Sequence, residues 1–76
     1  MTLDEEALKS VNEVVGWARE DVAAGKPARA IRRLDSAISD GEREIAAYSV
    51  REPFPGSLAA VKAAQSVLVA ARAEVA

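Results

Sequence analysis

At 76 residues and 8.0 kDa the chain has room for one domain, and a domain of this size buries only roughly 60% of its unfolded surface, which leaves a thin margin of stability. It contains no cysteine and no histidine, which excludes disulfides, thiolate metal sites, a thiol nucleophile and imidazole acid–base chemistry. Ten basic against twelve acidic residues, a net charge of −2, argue against a surface tuned as a whole to a polyanion.

Half of the residues are apolar, yet Trp17, Tyr48 and Phe54 are the only aromatics, and alanine and valine dominate the rest. That is a helical composition with thin side chains. The first ten residues carry acidic groups where a secretory signal needs a basic segment and an unbroken apolar run. Residues 57–76 are too alanine-rich and too short for a bilayer span and include Lys62, Arg72 and Glu74. A cytoplasmic protein without a membrane partner is expected.

A first helix is predicted over residues 3–24. Thr2 and Glu5 have the spacing of a capping box, and Asp4, Glu5 and Glu6 suit the positive end of the helix dipole. Leu8, Val11, Val15, Ala18 and Val22 recur at three- and four-residue steps along one stripe, which Ala7 and Val14 widen. Trp17 falls at the edge of that stripe near Asp21, where it either covers the flank of the core or anchors a partner.

Gly25 offers the left-handed conformation that ends a helix, and Pro27 the fixed φ that suits the first position of the next. So short a turn makes the first two helices an antiparallel hairpin. The second helix is predicted over residues 27–48, with Ile31, Leu34, Ile38, Gly41, Ile45 and Tyr48 on its buried face and Ala30 and Ala37 beside them. Gly41 lies within the apolar stripe, so either another backbone approaches closely there or the helix breaks at Asp40-Gly41. Away from the stripe, Arg29, Arg32, Arg33 and Arg43 form a basic strip interrupted by Asp40 and Glu44, and Asp35 can pair with Arg32. The strip holds no aromatic for base stacking, so a solvated face outranks an acidic protein partner, and nucleic acid comes last.

Gly25, Ala30, Leu34 and Ala37 also stand at the spacing of the glycine, alanine, bulky residue and alanine of a helical repeat, and over this one hairpin the chain resembles the tetratricopeptide repeat family. Trp17-Ala18 replaces the usual Leu-Gly pair and Glu42 the closing proline. The three-helix layout is similar to that of microtubule-interacting-and-trafficking domains. What the resemblance implies is a helical adaptor surface that holds a peptide or helix.

Pro53 and Pro55 make residues 49–57 a loop, with Gly56-Ser57 opening the last helix. Phe54 between the prolines is expected to plug one end of the bundle, with an exposed anchor as the alternative. The third helix is predicted over residues 57–75. Leu58, Val61, Leu68 and Val75 form one stripe and Ala60, Ala64, Val67 and Ala71 a second, which either meets a partner or lies in water because alanine favours helix.

Reactive chemistry is sparse. The serines have no histidine to activate them, the residue five before Gly25 is Glu20 where a phosphate loop needs glycine, and the carboxylates at positions 4–6 and 40–44 lack calcium-loop spacing. The expectation is an all-α, antiparallel up-down-up three-helix bundle with coiled-coil-like packing, in a single domain spanning residues 1–76. Its expected function is non-enzymatic: an adaptor or inhibitor that binds a protein partner, or a second copy of itself, through Trp17, Phe54, Ala60, Ala64, Val67 and Ala71. No cofactor, metal or small-molecule substrate is expected, and the alternative is a nucleic-acid-binding regulator using Arg29, Arg32, Arg33 and Arg43.

Overall fold

Residues 3–75 are described by a computed structural model, and the expected Thr2 cap lies outside them. Three helices follow one another, α1 (Leu3–Ala23), α2 (Pro27–Val50) and α3 (Ser57–Val75), each packed on the other two. This is an all-α three-helix bundle. Among the described residues no helix is long and apolar enough to cross a membrane.

The first turn follows from Gly25. Its φ of 77° places it in the left-handed region, which lets the Lys26 N–H donate to the Asp21 carbonyl and the Gly25 N–H to that of Val22, the paired bonds of a Schellman stop. Pro27 then begins α2 at a position that needs no donor. At the far end α2 runs to Val50, two residues past the expected boundary, until the proline at position 53 biases the preceding residues away from helix and Arg51 turns extended. Gly41 does not interrupt it.

Antiparallel register shows in the contacts between α2 and α3. The Gln65 side-chain amide donates to the Ile38 carbonyl (2.9 Å), and Arg72, two turns further along α3, reaches back to Asp35 (2.8 Å). That second contact replaces the expected Asp35–Arg32 pair, because Asp35 leans towards α3 rather than along its own helix.

Val15, Ala18, Ala30, Leu34, Leu68 and Ala71 form the core, towards the end of the bundle that carries the α1–α2 turn. Leu34 and Ala30 are wholly buried, and Leu34 is the largest side chain that is. Val22, expected on the α1 stripe, is 43% exposed, since it stands at the helix end beyond the tightest packing.

In α3 the buried face draws on both expected stripes: Leu68 of the first is buried together with Ala60, Ala64 and Ala71 of the second, and Val67 packs against the core, so the stripe assigned to a partner also faces α1 and α2. Leu58, Val61 and Val75 are only half-buried. Methyl side chains let a helix come close to two neighbours at once, and the position facing both is fixed by that geometry, not by the size of the residue occupying it.

The bundle is flattened, with Cα extents of 41 × 24 × 14 Å, whereas three helices in a symmetric triangle 8–10 Å apart would be nearly equal across. Its accessible surface of 5024 Å² exceeds the about 4,450 Å² expected of a compact monomer of this mass. A cleft lies at the end away from the α1–α2 turn.

Candidate functional site

Beyond the core, the three helices part around an open cleft of about 610 Å³. Ala7, Val11 and Val14 of α1 form one wall; Ala37 and Gly41 of α2 and Ala60 and Ala64 of α3 form the other two. All four of these positions on α2 and α3 carry at most a methyl group. Tyr48 and Phe54 stand at the mouth.

Gly41 lines the cleft, and the close approach expected there is of a different kind. The neighbour is the side-chain amide of Gln65, into which a Cβ at position 41 would run, and not another backbone. Gln65 is held there by its bond to the Ile38 carbonyl, while its Oε1 is buried with no hydrogen-bond partner. The absence of a Cβ at Gly41 is what leaves room for the Gln65 amide at that position.

Phe54 is positioned by the loop that starts α3. Its N–H donates to Ser57 Oγ (3.3 Å) and its carbonyl accepts from the Ser57 N–H (3.1 Å), while Glu52 Oε1 accepts from the Leu58 N–H (2.9 Å). Glu52 thereby satisfies one of the free amides of the first turn of α3, a cap that the sequence pattern did not single out. Phe54 does not plug the bundle: it is 64% exposed, held out at the mouth of the cleft by that turn and the flanking prolines.

The remaining expected sites divide between the two ends. Phe54, Ala60 and Ala64 line the cleft; Ala71 and Val67 belong to the core; Trp17 is near the other end. Trp17 is 47% exposed, with the Arg33 guanidinium 5.5 Å from its ring centroid. Arg33 donates to Asp21 (3.2 Å), which also lies 3.9 Å from Arg29, so these side chains bridge α1 and α2 and do not form an open strip. Arg43 pairs with Asp40 on its own helix, and Arg32 alone of the four has no acidic partner among the described residues.

The rim of the cleft consists of groups read from the sequence only as solvated faces and a dipole complement. Glu6, Asp40 and Glu44 border it, and among the described residues no basic one does. Among the described residues no group of three potential ligands could hold a metal ion. No protein-family model matches this chain, and no curated protein or solved structure does either.

Proposed function

We propose that this chain is a non-catalytic protein-binding module that holds an apolar segment of a protein partner, in helical form, in the cleft between its three helices. The observation that supports this is the cleft itself: an open trough walled on three sides by valine, alanine and glycine. Covering the apolar wall that the open cleft leaves wet releases water, which favours any occupant with a matching apolar face. A helix presenting anchors at i, i+3, i+4 and i+7 fits such a trough, with Phe54 and Tyr48 closing over its end.

Nuclear magnetic resonance on the ¹⁵N-labelled chain tests the reading. A helical peptide about 14 residues long with leucines at that spacing is the probe. The amides of Val11, Gly41, Ala60 and Ala64 should shift, while those of Ala63, Val69 and Ala70 on the outer face of α3 stay in place. Shifts confined to the outer face, or none at all, would refute it.

A further inference from the structure

The walls of the cleft are apolar and its rim is charged with one sign. Glu6 borders it from α1, and Asp40 and Glu44 from α2, one helical turn apart. All three are exposed, and among the described residues no lysine or arginine lines the cleft. Asp40 is engaged by Arg43 at 2.7 Å, whereas Glu6 and Glu44 have no basic partner among the described residues. The bias extends past the rim. Residues 5–14 and 37–65, which build the cleft half, hold seven acidic and four basic residues; residues 15–36 and 66–75 hold four and six.

We propose that the occupant is an amphipathic helix of about three turns from a partner protein, with lysine or arginine flanking its apolar stripe. The proposal rests on the reading of the cleft as a helix-binding groove and adds the partner's length and charge. The length comes from the walls: on α2 lining residues run from Ala37 to Tyr48 and on α3 from Ser57 to Leu68, each about 16 Å at 1.5 Å per residue. The charge comes from complementarity with Glu6 and Glu44, which have no basic partner among the described residues, beside an Asp40 already paired with Arg43.

A second copy of this chain does not meet that description. The chain's own basic helical stretch, around Arg29, Arg32 and Arg33, has Ala30 and Leu34 wholly buried in the core, so a folded copy has no free apolar stripe to offer.

Solvent-exposed ion pairs each change affinity by a factor of about 1.5 to 5, so Glu6 and Glu44, with a smaller share from the already paired Asp40, give roughly tenfold at low ionic strength. Three labelled peptides with one leucine stripe and lysine, glutamine or glutamate flanks, titrated by fluorescence anisotropy, measure this. At about 0.01 M salt the lysine peptide should bind roughly tenfold tighter than the glutamine peptide and the glutamate peptide weakest, and the differences should shrink at about 1 M. In a Glu6→Gln, Glu44→Gln double variant, with both changes on exposed side chains and the fold checked by circular dichroism, the advantage of the lysine over the glutamine peptide should fall to about twofold. Equal binding of the lysine and glutamine peptides would overturn the basic partner and leave the apolar groove standing. An advantage of lysine that survives intact in the double variant would overturn the assignment to this rim. Failure of all three peptides to bind would overturn the groove as well.

Discussion

Gly41 and Gln65 should be energetically coupled, and a double-mutant cycle measures the coupling. Alanine in place of glycine within a helix ordinarily gains about 1 kcal/mol. At position 41 the added Cβ runs into the Gln65 amide, so Gln65 has to swing away and give up its bond to the Ile38 carbonyl, a loss of about 1 kcal/mol. Gly41→Ala alone should therefore leave stability nearly unchanged. Gln65→Ala removes the same bond and should cost about 1 kcal/mol by itself. With Gln65 already gone, Gly41→Ala should express its full helix-forming gain of about 1 kcal/mol, a rise in melting temperature of roughly 4–8 °C for a domain of this length. Urea denaturation followed by far-ultraviolet circular dichroism and Trp17 fluorescence supplies all four corners of the cycle. If Gly41→Ala has the same effect with and without Gln65, to within about 0.4 kcal/mol, the packing argument is wrong.

Leu34→Ala should cost about 2–5 kcal/mol, a large share of the about 4–11 kcal/mol expected for a chain of this length, and a melting temperature lowered by under 5 °C would show that the core is not centred there. Glu52→Ala should cost about 1 kcal/mol by removing the acceptor for the Leu58 N–H, and Glu52→Gln should retain most of it; equal losses in thermal melts would mean that the cap does not matter. Asp21→Asn should cost about 1 kcal/mol or less, because Arg33 is a third exposed and the pair is partly screened, and it should alter Trp17 emission by loosening Arg33. A loss of undiminished size at about 1 M salt would contradict that electrostatic account.

Fold class was legible because each helix carries its own instructions. The Gly25 and Pro27 pair, the period of Ile31, Leu34 and Ile38, and the prolines around Phe54 all act within a few residues, and the structure places the helix boundaries within two residues of where those signals put them. The half-exposed edge position of Trp17 was likewise a matter of angle around one helix. The candidate site was mostly illegible. Ala60 and Ala64 were singled out, but as an outward face, and Glu6, Asp40 and Glu44 gave no sign of bordering anything. The one local trace of the cleft was a glycine on an apolar stripe.

What local sequence determines here is where helices start and stop and that each has a side to bury, since capping, φ restriction and periodicity need no distant partner. Which alanine stripe of α3 faces inward, which arginine finds Asp21 and which finds Asp35 depend on how the three axes approach one another. So does the cleft. Side chains of one methyl group or none close the bundle at the end where Leu34 and Val15 fill it, and leave it open at the end where Gly41, Ala60 and Ala64 do not reach across. A gap belongs to no single residue, and it exists only once three helices have been placed around it.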